Sequence, residues 1–544
     1  MSLGPFIIVS TLQKSKSHMS YVAVRWFFAG ATALAAGIPL TGCAVGPDFR
    51  SPAAPEIARY TREPLGSQVS AAAGSGQRFI EGRDIPQEWW RVYRSPALDA
   101  LIARSIANNP NLQSALATLR AARQAVYAQE GKFFPFAQAN FNPTRQQTSG
   151  ALTPVPASGA GIFNLVTAQL EVAYTFDIWG LNRRTVESLQ ALADVQRFQV
   201  EAAYLTLTSN VVVAAISEAS LRAQIEATDQ LISANTQMVD ILRRQLDAGL
   251  ANRSEVAAQE ASLAQAKATL PPLRKALAQQ RDLLAALAGA YPSEGPRETF
   301  RLANLHLPST LPVDLPSHLI EQRPDIRAAE EQLHSASAQI GVATANLLPS
   351  FTISANAGFT NTALAHLLAP QNLFWEFGAN ATQTILDGGT LLHQLQGAKD
   401  TYQAAAWTYR GTVIGAVQNV ADTLRALQND ADAVRSAQEF QRAAKISFDL
   451  ARQQLQTGNA NVLLLLNAQQ TYLQADIQLV QAQAARLSDT AALFQALGGG
   501  WWNRTEPIAQ KMLDVRAGRA TPLPKTRRTE PVTPRPADRR RSSS

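Results

Sequence analysis

One cysteine, Cys43, stands among 544 residues, which excludes an intrachain disulfide framework and any site built from several thiolates. The six histidines, His18, His306, His318, His334, His366 and His393, show no His-x-x-x-His spacing that would set two imidazoles around a metal on one helix face. Phosphate loops and dinucleotide fingerprints are missing, and "ALGGGWW" (Ala496 to Trp502) lacks the strand-then-helix setting such motifs need. No Gly-x-Ser-x-Gly elbow occurs. The chain therefore reads as a non-enzyme that uses no ATP and holds no metal. Proline is absent from Leu181 to Leu270 and again from Gln371 to Glu506, and those two gaps leave room for very long helices.

Net charge is scarce except at one end. The formal +7 is matched by residues 511–544 alone, which carry ten Lys/Arg against three Asp/Glu. The rest of the chain is balanced, which argues against nucleic acid as a partner. "KTRRTEPVTPRPADRRRSSS" has no apolar periodicity, so 503–544 reads as a basic disordered tail, or as a patch that touches anionic lipid or cell-wall polymer.

At the other end, "FFAGATALAAGIPL" (Phe27 to Leu40) is apolar and uncharged, too short to span a bilayer and suited to the core of a secretion signal. Lys14, Lys16 and Arg25 precede it, and a start at Met19 would give the leader ordinary proportions. The run ends in Leu40-Thr41-Gly42-Cys43, which resembles a bacterial lipobox. That resemblance implies cleavage before Cys43, discarding residues 1–42 as a lipoprotein signal peptide, and acylation of the thiol and the new amine. Several acyl chains suffice for stable anchoring. Ala44 in place of aspartate favours the outer over the inner membrane as destination.

The chain is written twice. "NPNLQSALATLRAARQAVYAQEGKFFPFAQAN" matches "RPDIRAAEEQLHSASAQIGVATANLLPSFTISAN", with Pro110 and Pro135 spaced as are Pro324 and Pro349. "RRQLDAGLAN" matches "RQQLQTGNAN", and Gly180 to Gly249 equals Gly389 to Gly458 in length. The expected organisation is a lipidated extended segment over 43–94, a first repeat over 95–290, a Pro-rich connector over 291–316, and a second repeat over 317–502. Each repeat reads as a helix, two short alternating segments, a long helix, a Gly-containing turn and another long helix. A continuous helix from Gly180 to Gly249 would be about 100 Å long. Tyr402, Ala405, Tyr409, Val413, Ala416, Val420, Leu424 and Leu427 recur at helical steps and demand a partner along the whole length.

The short segments alternate. In "AQLEVAYTFDIW", Leu170, Val172, Tyr174, Phe176 and Ile178 oppose Gln169, Glu171, Thr175 and Asp177. "SFTISANAGFT" and "LFWEFGANATQT" alternate likewise, and "FFPFAQANFN" does so most weakly. Such segments fit membrane strands with lipid on one face and water on the other, and also an ordinary antiparallel sheet with one buried face, which is the commoner case. Four strands cannot close, and an open edge cannot sit in lipid. Membranous strands would have to complete a barrel shared between chains. On that reading Glu171, Asp177, Asn356 and Glu376 face the lumen.

"LPVDLPSHLIEQRPDIRAAEEQLHSASAQIGVATANLLPS" (Leu311 to Ser350) resembles the signature of outer-membrane factors of TolC type. With "CAVGPDF", "WWRVYRSPALDALI", "DIWG" and "LDGG", it is similar to the NodT-like lipoprotein branch that serves resistance-nodulation-division pumps. The resemblance covers about residues 40 to 502. It implies an α+β membrane protein: a homotrimer with four strands per protomer in one barrel and long coiled-coil helices in a periplasmic tunnel. Its implied partners are a periplasmic adaptor and an inner-membrane transporter that supplies the energy, and its implied role is passive export of drugs or other toxic solutes across the outer membrane.

In that architecture the turns Gly249 to Asn252 and Gly458 to Asn461 are the periplasmic tips. The family often carries aspartates beyond the second turn; Leu464 and Asn467 stand at the matching positions here, and Glu255 stands at the corresponding place in the first repeat. Asp449 and Arg452 are candidates for constricting ionic contacts, with solvated helix charge as the alternative. The run Leu463 to Leu466 asks for burial, either as a hydrophobic constriction or between hairpins. Two other readings remain open at this stage: the duct of a type I protein exporter, and an anchored coiled-coil scaffold without a pore.

Overall fold

The computed structural model describes residues 44–54, 57, 59–63, 68–69, 76–147, 161–313, 316–457, 459 and 461–504. Cys43, Gly458, the leader and residues 505–544 of the tail lie outside the described residues; Asn503 closes a 3-10 turn (Trp501–Asn503) and Arg504 pairs with Glu201, so the expected start of a disordered tail at 503 is corrected to a later position. The helices are α1 (Pro96–Asn108), α2 (Pro110–Glu130), α3 (Leu181–Asp247), α4 (Arg253–Leu287), α5 (Pro316–Gln322), α6 (Pro324–Ala345), α7 (Thr390–Gln456) and α8 (Val462–Ala496). The strands are β1 (Gln68–Val69), β2 (Gln77–Glu81), β3 (Phe136–Gln147), β4 (Ile162–Phe176), β5 (Thr310–Val313), β6 (Ser350–Asn361) and β7 (Leu373–Thr382). The duplication is kept in the lengths: α3 and α7 have 67 residues each, and α4 and α8 have 35 each.

Local chemistry sets the helix starts. Pro96, Pro110 and Pro324 occupy first-turn positions, where a missing N–H costs nothing. Left-handed glycines, Gly180 and Gly389, precede α3 and α7. Having no side chain, they leave the first amides of these helices to nearby aspartates. Asp177 accepts from the amides of Asn182 (2.8 Å) and Arg183 (3.0 Å), and Asp387 from those of Gly389 (2.9 Å) and Leu391 (2.8 Å). The Asp387 carboxyl is held below its usual range, chiefly by the Leu391 amide. Asp177 is thus a helix cap beyond the end of β4, which corrects its assignment to a strand face.

Helix α4 runs unbroken through Pro271 and Pro272. An apolar stretch of α3 is long enough to cross a membrane, yet 67% of it is buried inside the protein, which makes it core. That core lies where α1, α2, α3, α7 and α8 meet. Trp89 is fully buried and stacks on Phe494 at 5.5 Å, while the Tyr93 hydroxyl donates to the Leu487 carbonyl at 2.8 Å. Trp89 and Tyr93 lie within 43–94, so that segment is not uniformly extended: it contributes a 3-10 turn (Trp89–Tyr93) and strand β2. Strand β5, in the connector, pairs parallel to β2 in a small sheet ordered β1-β2-β5.

Beside this core, the Arg486 side chain is 1% exposed and donates from Nε to Gln77 Oε1 at 3.1 Å. Asp430 on α7 meets Asp489 on α8 nearby. Burial and the Asp489 carboxyl push Asp430 up to about 7, against the pull of Arg486. An acid whose folded pKa lies above its unfolded value of about 3.9 binds more protons in the folded state between those two pH values, so its contribution to stability falls as pH rises through that window. Asp430→Asn is expected to flatten the decline of the melting temperature between pH 4 and 7 and to raise it at pH 8; an unchanged profile would show that the pair does not titrate there.

Candidate functional site: the four-stranded sheet and the hairpin tips

Strands β3, β4, β6 and β7 form one antiparallel sheet in that order. Residues directly opposite in adjacent strands share a face, so the register sorts the side chains. One face carries Leu170, Val172, Tyr174, Ala357, Phe359, Leu373, Trp375 and Phe377. Trp375 is 77% and Phe377 68% exposed. The other face carries a cross-strand row of Gln138, Glu171, Asn356 and Glu376, with Thr175 opposite Thr352 and Thr167 opposite Thr360 in further rows. Three residues assigned from sequence to the lumen, Glu171, Asn356 and Glu376, therefore fall in one row, and Asp177 does not join them.

Glu171 accepts from Gln138 Nε2 at 2.7 Å and from Asn140 Nδ2 at 3.4 Å; the paired threonine hydroxyls lie 2.9 Å and 3.2 Å apart. Gln138 and Asn140 were missed because "FFPFAQANFN" alternates weakly, although its polar positions 138, 140 and 142 keep the two-residue period. A Cβ at Gly358 on β6 would stand 2.3 Å from the Ala168 carbonyl oxygen of β4, so no larger residue fits without a shift of the backbone. Both outer edges, β3 and β7, are unpaired among the described residues.

A strap holds the chain at the foot of the sheet. The Val45 amide donates to the Trp179 carbonyl at 3.0 Å, just after β4. Arg184, 5% exposed, binds the Val45 and Gly46 carbonyls and pairs with Asp48 at 2.7 Å and Glu187 at 2.7 Å. Phe49 stacks on His334 at 4.4 Å. A Cβ at Gly341 would stand 2.8 Å from Arg184 Cγ and 2.9 Å from the Val45 carbonyl oxygen, so the strap needs glycine there. The residues that follow Cys43 are thereby fixed beneath the strands.

At the far ends of the long helices, Gly249 takes the left-handed conformation (φ 78°). The Leu250 amide returns to Gln245 at 2.7 Å and the Gly249 amide to Leu246 at 2.9 Å, a Schellman closure. Asn252 caps α4, accepting from the Glu255 amide at 3.0 Å, and Glu255 accepts from the Asn252 amide at 3.0 Å. Glu255 thus closes a capping box. At the second tip, the Asn459 amide returns to Gln454 at 2.8 Å and Asn461 accepts from the Leu464 amide at 3.0 Å.

The leucine run divides. Leu465 packs with Ala451 and Ala468, and Val462 with Leu242 and Val256 of the first hairpin, so apolar contact joins the two hairpins near their tips. Leu463 and Leu464 point outward, and Asn467 is exposed beside Leu464. Within this chain, burial of all four leucines is therefore not observed. Asp449 is bracketed on its own helix by Lys445 at 3.1 Å and Arg452 at 3.7 Å, with all three partly exposed. No group of His, Cys, Asp and Glu suited to a metal occurs among the described residues.

A family model described as "Outer membrane efflux protein" matches residues 101–290 and 315–499. The chain is 30% identical over 468 residues to the pyoverdine export outer membrane protein OpmQ of Pseudomonas aeruginosa, covering 83% of this chain and 96% of that protein. It is 26% identical over 474 residues to the toluene efflux pump outer membrane protein TtgC of Pseudomonas putida, covering 87% and 96%. Among solved structures, the fold matches the outer membrane protein VceC of Vibrio cholerae with a TM-score of 0.70 at 26% identity, over 76% of this chain and 99% of that one. It matches the CmeC outer membrane channel of Campylobacter jejuni with a TM-score of 0.77 at 19% identity, over 87% and 98%.

The tip chemistry is directly testable. Asn252→Ala removes the side-chain acceptor of the capping box and leaves the residue 252 amide to donate to Glu255, at a cost of about 1 kcal/mol to the start of α4. Faster hydrogen exchange at the Glu255 amide with unchanged exchange in the Trp89 core is the expected outcome; unchanged exchange at both would show that the box carries no stability.

Proposed function

The chain belongs to the outer membrane efflux protein family, and on that premise we propose that it is the passive outer-membrane channel of a tripartite efflux system. Three copies close a twelve-stranded barrel and a helical tunnel that reaches about 100 Å into the periplasm. A periplasmic adaptor and an inner-membrane resistance-nodulation-division transporter load the tunnel and supply the energy. The cargo is drugs or other small toxic solutes, in line with the names of the toluene and pyoverdine relatives. Cys43 carries the lipid that anchors each copy in the outer membrane.

One observation carries this reading: a sheet that is apolar on one exposed face, polar on the other, and open at both edges. Lipid accepts the first face, water the second, and only further strands satisfy the edges. A scaffold without a pore has no use for the row Gln138–Glu171–Asn356–Glu376. In the trimer that row supplies two carboxylates per copy to the barrel wall, and the exposed Leu463 and Leu464 pack near the threefold axis as an apolar constriction.

Deleting the gene is expected to sensitise cells to some members of a panel of antibiotics, dyes, solvents and metals, and no change across the panel would refute the efflux role. In planar bilayers, the combined variant Glu171→Gln, Glu376→Gln is expected to lower the preference for cations over anions, read as a shift in reversal potential; an identical potential would place the row outside the conducting path. Leu464→Ser is expected to make cells leaky to antibiotics, and unchanged entry would remove the constriction.

A further inference from the structure

The duplication lets one hairpin serve as the control for the other. Gly180 and Gly389 set an offset of 209 residues, and at that offset α3 with α4 matches α7 with α8 position for position. Along the seam of the second hairpin, Ala444 and Ala468 are 4% and 7% exposed. Their counterparts in the first hairpin are Asn235 and Gln259, 1% and 0% exposed. Gln259 Nε2 donates to Asn235 Oδ1 at 2.7 Å, and the other two amide atoms, Asn235 Nδ2 and Gln259 Oε1, find no partner among the described residues. Alanines let helices approach closely and bury nothing polar, whereas a half-satisfied amide pair weakens the seam that holds it.

Farther from the turn, the first hairpin is soft on both helices at one level. Pro271 and Pro272 withdraw two amides from the middle of α4, so the carbonyls of Lys267 and Ala268 lose the donors four residues on. The matching positions of α8 are Val480 and Gln481. Across the seam, the Arg274–Asp229 ion pair at 3.8 Å sets this part of α4 opposite Asp229 of α3, next to Thr228. The fully buried Thr228 hydroxyl donates back to the Gln224 carbonyl at 2.8 Å, a bond that slightly destabilises a helix, where the second repeat has Ala437. The second hairpin is reinforced instead. Phe448 of α7 stacks on Tyr472 of α8 at 5.8 Å, with Arg452 over the first ring and Lys445 over the second; the first hairpin has Val239 and Leu263 at those positions.

We propose that the first hairpin carries a labile arm: from its turn up to Pro271–Pro272 on α4 and Thr228 on α3 it opens as one unit, while the matching arm of the second hairpin stays closed. Helices of this length are marginal in water once they lose their partner. Parting of the seam therefore releases backbone hydrogen bonds along both helices up to the prolines and not beyond them. The small cluster of Leu242, Val256 and Val462, which joins the two hairpins, parts with it. Each copy thus has one yielding and one fixed hairpin. The inference goes beyond the channel reading and stands on the described helices whether or not the chain forms a pore.

The test is amide hydrogen exchange on the full-length protein extracted from its membrane, with the Trp89 core as internal standard. Exchange across 235–247 and 253–268 is expected to be several-fold faster than across the matching 444–456 and 462–477, with the step in α4 at Pro271. Two double variants import the residues of the second hairpin: Asn235→Ala with Gln259→Ala, and Pro271→Val with Pro272→Gln. Each is expected to slow the first arm toward the rate of the second, whereas Asn235→Ala alone, which strands the Gln259 amide, is expected to quicken it. Equal rates in the two arms of the unaltered protein would overturn the proposal. So would a fast first arm that neither double variant slows, because the lability would then lie in the turn and not in the seam or the prolines.

Discussion

The unpaired backbone at the edges of a four-stranded sheet is the constraint from which the rest of this architecture follows. In water such an edge is tolerable; in hydrocarbon each unsatisfied N–H or C=O costs several kcal/mol. With Trp375 and Phe377 exposed on one face and Glu171 and Glu376 on the other, the sheet suits neither bulk water nor a lipid-buried open form. The proposed closure by further copies resolves both problems, and it makes a polar row on one chain the lining of a duct. The helices below carry the same feature: Trp407 and Ile414 on α7 stay exposed, uncovered by any other described part of the chain.

Much of this was legible in the sequence, because duplication makes spacing informative. Matching prolines and glycines located both repeats, and the long proline gaps announced α3 and α7, whose equal lengths follow from the equal Gly-to-Gly intervals. The two-residue alternation correctly separated Glu171, Asn356 and Glu376 from their apolar neighbours. It could not supply their alignment in one row, since register depends on turn geometry and on which strands meet.

What escaped the sequence were contacts made across long separations. Asp177 continues the alternation of β4 in pattern, yet it caps α3, because Gly180 gives that helix no capping side chain. Pro271 and Pro272 lie inside α4, which continues through them. The strap at Arg184 and Gly341 joins positions far apart in the chain, and an isolated arginine or glycine gives no local sign of such a partner. Glu255 looked like a candidate for an acidic ring; hydrogen bonding to the Asn252 amide gives it a local task at the helix start.

The central claim is that the β3 and β7 edges are satisfied by other copies once the protein is in its membrane. Hydrogen exchange of the edge-strand amides in the membrane-inserted protein tests it most directly. Protection over 140–147 and 375–382 comparable to that of β4 and β6 is the predicted result. Rapid exchange along either edge, with β4 and β6 protected, would contradict the account.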